Sequence, residues 1–224
     1  MSLKLYYHPL SSFCHKALIA LYEGGIDFEP VLVDLSNEAS SATLRALWPI
    51  GKFPVLRDEG RNQTVAEATV IIEYLDTYCG THLVPEDAEL RWQARMWDRL
   101  YDLHLHMQMQ KLVGDNMRPD GAKDAMGVEQ AKTLMATAYR MIETEMDRKT
   151  WALGDEFSLV DCAAAPALFY SRFVLPFGEQ QNNLRRYLER LMARPSYARV
   201  LKEAEPYFHM VPMQIKPTLS KEVA

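Results

Sequence analysis

The 224-residue sequence reads as a small α/β unit followed by an all-helical one. Strand-like and helix-like segments alternate over residues 1–80, strand signals vanish beyond residue 88, and residues 81–88 between them read as a linker. A proline also stands where a strand should begin, in Gly51-Lys52-Phe53-Pro54-Val55-Leu56. A proline costs a ladder hydrogen bond, so it belongs at a strand's first residue, an edge or a bulge.

Leu3–Tyr7 is short, aromatic and aliphatic, as strands are, and His8-Pro9 ends it. From Ser12 to Glu23 the period turns helical, with Phe13, Ala17, Ala20 and Leu21 on one face, and Gly24-Gly25 stops it. Phe28–Val33 reads as a second strand and residues 36–47 as a weak helix. Val55-Leu56-Arg57 makes a third strand, and Asp58-Glu59-Gly60 turns into a fourth. Ala68–Tyr78 is helical, carrying Ile71, Tyr74, Leu75 and Tyr78 at i, i+3, i+4 and i+7. The order βαβ, helix, ββα implies a parallel pair joined by a crossover.

Three apolar stripes follow the linker: Trp92, Met96, Leu100, Leu103 and Met107; Ala131, Leu134, Met135, Ala138, Ile142 and Met146; and Leu184, Tyr187, Leu188, Leu191 and Met192. Phe157-Ser158-Leu159-Val160-Asp161 carries a capping-box pattern, a serine N-cap with an acid three residues on.

Hydrophobic residues make up 48% of the chain and charged ones 25%, enough for a full core. No apolar run approaches the roughly 18 residues of a membrane span, and the first ten residues lack a signal-peptide pattern. Residues 1–80 hold six Lys and Arg against ten Asp and Glu, and no basic run suits nucleic acid. The cysteines, Cys14, Cys79 and Cys162, are odd in number and far apart, which speaks for a reducing compartment. His104 and His106 diverge on a helix, so no metal pair is expected.

Taken in order, Ser11-Ser12-Phe13-Cys14, Lys52-Phe53-Pro54-Val55-Leu56 and the box at Ser158 make the chain resemble the cytosolic glutathione S-transferases over nearly its whole length. Within them it is more similar to a serine-type, bacterial zeta/theta-like branch than to the tyrosine-type branches. The resemblance implies a thioredoxin-like glutathione-binding domain over residues 1–80 and an α-helical bundle domain over 89–210. It also implies a cytoplasmic homodimer that joins the glutathione thiolate to an electrophilic, apolar small molecule in detoxification, with no nucleic-acid or membrane partner. Two other readings are a glutathione-dependent peroxidase or disulfide reductase, and a non-enzymatic binding module of transferase-like fold.

Such chemistry needs a thiol of ordinary pKa about 8.5 to be ionised near neutral pH, and a hydroxyl donor at a helix N-terminus favours the thiolate. Ser11, just before the predicted helix, is the first candidate; Ser12, Cys14 and Tyr7 are the alternatives. Against these stand plainer roles: N-caps for the serines, a small core filler for Cys14 and a core or dimer-facing ring for Tyr7. The resemblance implies that the Phe53 main chain beside Pro54 pairs with the cysteinyl part of glutathione as an added strand would. Lys52 is placed to meet the glycine carboxylate, and Glu67 and Ala68 the γ-glutamyl end. Ala68 stands where the family usually has serine, and Trp48 where asparagine is common. The second substrate is expected against Trp97, Tyr101, His104 and Gln108, with Phe169 and Phe173 behind; simple bundle core is the competing reading.

Overall fold

A computed structural model describes residues 2–220. Its sheet runs β2-β1-β3-β4, built from β1 (Leu3–Tyr7), β2 (Glu29–Leu32), β3 (Val55–Asp58) and β4 (Gln63–Ala66). The β1–β2 pair is parallel, with Leu5 opposite Pro30, and α1 (Ser12–Glu23) makes the crossover that a parallel pair needs. The other two pairs are antiparallel, with Leu5 opposite Leu56 and Leu56 opposite Val65. Proline is tolerated in β2 because that strand is an edge.

Asp58 closes the β3–β4 turn. Its buried carboxylate accepts the Arg61 amide at 3.1 Å and the Tyr74 hydroxyl at 2.8 Å. Helix α2 (Glu38–Leu47) is capped by Asn37, and α3 (Ala68–Cys79) ends at Gly80, in the left-handed conformation that suits glycine. The expected linker is pinned at one point: Asp76 Oδ1 accepts Thr81 Oγ1 at 3.0 Å, Leu83 N at 2.7 Å and Val84 N at 3.2 Å.

Beyond it every described element is helical: α4 (Ala88–Leu100), α5 (Met107–Asn116), α6 (Ala125–Glu145), α7 (Leu159–Ser171), α8 (Asn182–Ala193) and α9 (Pro195–Ala204), with short 3₁₀ turns. Between α4 and α5 the chain stays helical but widens into i→i+5 turns over Tyr101–His106. One core runs through both halves, from Leu5, Ile19 and Ile72 to Leu105, Ile142 and Phe169. Helix α1 is its hinge, packed on α3, α7 and α9. The narrow α7, rich in alanine, is buried along its whole length, Pro166 included.

The α8 stripe is inward-facing, as a core stripe should be, and so is that of α6 apart from Leu134. The first stripe behaves differently. Trp92, Met96, Leu103 and Met107 are exposed, and the buried face of this helix carries Ala94, Trp97, Tyr101 and Leu105 instead. Periodicity identifies a helix with an apolar face, but it does not say what that face meets.

The box at Ser158 forms in full: Ser158 accepts the Val160 amide, and Asp161 Oδ2 accepts the Ser158 amide at 2.9 Å. Asp161 Oδ1 also accepts the Ala152 amide at 2.9 Å and the Tyr187 hydroxyl at 2.6 Å, tying a loop and α8 to the start of α7. Asp161→Ala leaves these buried donors unpaired and should cost about 3 kcal/mol in chemical denaturation. A loss under about 1 kcal/mol would mean that the box is ornamental.

Candidate functional site

Ser11 is the N-cap of α1: its backbone is extended, and its Oγ accepts the Cys14 amide at 3.3 Å. An accepting cap keeps its own O–H free to donate elsewhere. The Ser11 amide donates to His8 O at 3.0 Å, fixing the loop after β1. The backbone of this loop is held again from behind, where buried His15 Nε2 donates to Pro9 O at 2.6 Å. Burial drives His15 down to about 4, so the ring stays neutral at physiological pH.

Across from Ser11 lies the Pro54 turn. The Phe53–Pro54 peptide is cis, and β3 starts only at Val55, so Phe53 stands outside the ladder. Lys52 is exposed at the rim. Glu67, between β4 and α3, has φ 70° and ψ 120°, a positive-φ backbone that costs a non-glycine residue about 1–3 kcal/mol. It heads α3 with no side-chain cap bond, so its exposed carboxylate is not consumed by the helix. Ser11, Lys52, Phe53, Pro54, Glu67 and Ala68 line one cavity of about 420 Å³, with Trp48 in its wall. That cavity pairs a helix-opening hydroxyl with an extended backbone edge and a second helix N-terminus, which together suit an elongated, peptide-like anion.

A buried charge cluster stands behind it. Lys16 on α1 is wholly buried; its Nζ donates to Thr69 Oγ1 at 2.7 Å, to Asp98 Oδ1 at 2.5 Å and to both Asp102 oxygens at 3.0 Å. Thr69 donates to Asp98 Oδ2 at 2.9 Å. The Thr69 hydroxyl is thereby committed inward, and with Ala68 beside it the start of α3 offers the cavity backbone amides only. Burial alone would raise the Asp102 carboxyl, but its neighbours His106 and Lys16 more than reverse this and hold it at about 2. Arg99, 3.5 Å from Asp102, helps to balance the second carboxylate.

Residues 10–77 match the family model described as glutathione S-transferase, N-terminal domain, and residues 100–195 the one described as glutathione S-transferase, C-terminal domain. The chain belongs to the glutathione S-transferase family. Among its relatives, glutathione S-transferase 3 of Zea mays is 32% identical over 209 residues, 89% of this chain and 93% of that protein. A stringent starvation protein A homolog of Haemophilus influenzae is 29% identical over 87% of both chains. Among solved structures, a glutathione S-transferase from Methylobacillus flagellatus with glutathione bound superposes with a TM-score of 0.83 at 28% identity, covering 89% of this chain and 98% of that one.

For a member of this family, the alternatives to Ser11 fare unequally. Ser12 is nearly buried but borders a second cavity. Cys14 faces the core, and burial pushes its thiol up to about 12, against smaller opposing effects of Ser11 and His8. It is therefore no ready thiolate, because the helix-start dipole does not repay full desolvation. Tyr7 opens onto a different pocket, with Tyr22, Arg199 and Glu203. The structure thus brings neither Cys14 nor Tyr7 to the cavity of Pro54.

The expected second-substrate wall is also separated. Tyr101 and Phe169 are core residues, Phe173 is buried with them, and Trp97 and His104 border an apolar groove against α6. The cavity of about 350 Å³ that adjoins Ser11 and Phe53 is lined instead by Met109, Gln110, Val113, Met117, Tyr170 and Met213. The uniform helical period from Trp97 to Gln108 is broken by the wide turns over Tyr101–His106, which rotate α5 relative to α4. Nothing in the residue pattern announces those turns. On α7 it is Tyr170, not Phe169, whose ring borders this cavity.

Among the described residues no group of three or more His, Cys, Asp or Glu side chains is placed to hold a metal ion, and no helix is long and apolar enough to cross a membrane. Two outcomes are expected from the buried ionic groups. Lys16→Met strands two buried carboxylates and should destabilise by roughly 3–5 kcal/mol, and the added pair Asp98→Asn and Asp102→Asn should return much of it in urea titrations. No recovery would show that the lysine acts through packing alone. His15 is neutral in the folded protein, so its contribution is complete above pH about 6.5 and should fall by roughly 3 kcal/mol by pH 4. The depressed Asp102 adds a second decline between about pH 4 and 2. His15→Gln should flatten the first decline; an unaltered pH profile would remove His15 as its source.

Proposed function

We propose that this protein binds glutathione in the cavity of Ser11, Phe53 and Glu67 and transfers its thiolate to an electrophilic carbon of a small, largely apolar molecule. The observation that carries this reading is the convergence of Ser11, the Phe53 backbone and the start of α3 on one elongated cavity. The 28%-identical neighbour whose structure holds glutathione supports it.

The Ser11 hydroxyl donates to the bound sulfur and, with the N-terminus of α1, favours the thiolate, so the chemistry is serine-type. The zeta/theta-like branch is part of the proposal and rests on the Ser11-Ser12-Phe13-Cys14 run. Phe53 pairs with the cysteinyl backbone, Lys52 meets the glycine carboxylate, and Glu67 with the Ala68 and Thr69 amides takes the γ-glutamyl end. The reaction then gains from proximity and from a lowered thiol pKa. The division into domains at 1–80 and 89–210, a cytoplasmic setting and a role in detoxification belong to the same reading. So does a homodimer, favoured by the exposed stripe of Trp92, Met96, Leu103 and Met107.

The buried thiol of Cys14 weighs against the disulfide-exchange reading. A non-enzymatic module keeps one supporting observation, the stringent starvation protein A homolog among the relatives. Calorimetry with millimolar glutathione, followed by turnover of an electrophile panel, tests the proposal. Ser11→Ala should bind glutathione within a few-fold of wild type, return the bound thiol towards its ordinary pKa by ultraviolet absorbance, and lose ten- to hundredfold in kcat/KM near pH 6.5. Ser12→Ala and Cys14→Ala should stay within about threefold. Binding without turnover would favour the module, and no binding at all would end the transferase reading.

A further inference from the structure

Gln110 occupies a particular place between the two cavities. Only Ser11, Phe53 and Gln110 border both the Pro54 cavity and its apolar neighbour among the described residues. Ser11 and the Phe53 backbone are taken up by glutathione in the proposed function. Gln110 is exposed on α5, one turn beyond Met107, and its side chain makes no hydrogen bond to another described residue. The apolar cavity is otherwise walled by methionine, valine, leucine and proline, and holds no charged side chain among its lining residues. Its other polar group away from the α1 serines, Tyr170, is buried with its hydroxyl 3.5 Å from His15 Nε2.

We propose that the Gln110 amide binds the acceptor oxygen of the electrophile and that the substrates preferred here are uncharged α,β-unsaturated carbonyl compounds. This rests on the transferase reading above. In the step envisaged, the glutathione thiolate forms a C–S bond at the β-carbon, the C=C electron pair shifts towards the carbonyl, and the carbonyl π pair comes to rest on oxygen as an enolate. Gln110 Nε2–H donates to that oxygen as its charge grows. Water then protonates the α-carbon and the carbonyl re-forms. A donor aimed at developing charge lowers the barrier more than it tightens the ground state. Uncharged substrates are favoured because a carboxylate in this cavity would be desolvated with no cation beside it.

The test compares an α,β-unsaturated ketone with an alkyl iodide of similar size, in which charge leaves with the halide and not on a carbonyl oxygen. In Gln110→Leu, at saturating glutathione, the ketone-to-iodide ratio of kcat/KM should fall about tenfold, mostly through kcat. Gln110→Glu, of equal length but without the donor, should show the same fall. A ratio that moves less than twofold in both variants overturns the Gln110 assignment and leaves the transferase reading standing. A wild-type protein that binds no glutathione and turns over neither compound overturns both together.

Discussion

Lys16 is the residue on which the two halves of this molecule depend. A wholly buried ammonium is tolerated only if it is paired and hydrogen-bonded. Here the partners come from both halves: Thr69 from α3, Asp98 from α4 and Asp102 from the wide turns that follow. The cluster therefore acts as a positional constraint. Sliding the helical half against the sheet by an ångström or two would break several charge-assisted bonds together. A second clasp works at the other end of α1, where Glu23 takes Arg194 in a two-pronged pair at 2.6 Å. With both ends of α1 tied, its N-terminus, and Ser11 with it, is set relative to α5 and α7.

The same constraint shapes the site's chemistry. Thr69 spends its hydroxyl proton on Asp98 and so has none to donate to a ligand. Asp102 lies within the wide turns, 3.7 Å from His106, and those turns set the phase at which α5 begins. Helix α5 then contributes Met109, Gln110, Val113 and Met117, side chains that adapt in shape but carry no charge. Structural burial and substrate selection thus draw on one stretch of helix.

Four elements of the sheet half were legible from residue pattern because local punctuation marks them: Pro9 after β1, Gly24 after α1, Pro54 before β3 and Gly80 after α3. The cap at Ser158 was legible for the same reason, since four consecutive residues specify it. What could not be read was non-local. Nothing near Lys16 in sequence marks it for burial, because its partners lie 53 to 86 positions away. The outward turn of Trp92 and Met96 and the inward turn of Tyr101 depend on packing that no single helix encodes. The Ser11, Phe53 and Glu67 cluster was accessible only because each member sits at a helix start or strand end, where backbone chemistry shows in residue type.

Under the proposed reading, the two ends of glutathione are then recognised by different physics. The cysteinyl part meets a backbone edge at Phe53, whose donor and acceptor directions are set by covalent geometry. At the γ-glutamyl end Ala68 offers only a methyl group, and the neighbouring Thr69 hydroxyl is turned to Lys16 and Asp98. What is left is the field of the α3 N-terminus, two amides and the Glu67 carboxylate, held in place by a strained φ. Such recognition is mostly electrostatic and exposed to solvent, so screening by salt weakens it more than it weakens hydrogen bonding at Phe53. The Lys16 cluster, buried and unscreened, keeps that helix end in position while contributing no atom to the ligand. The molecule has moved its strongest polar interactions behind the site, where they order the backbone that touches the ligand.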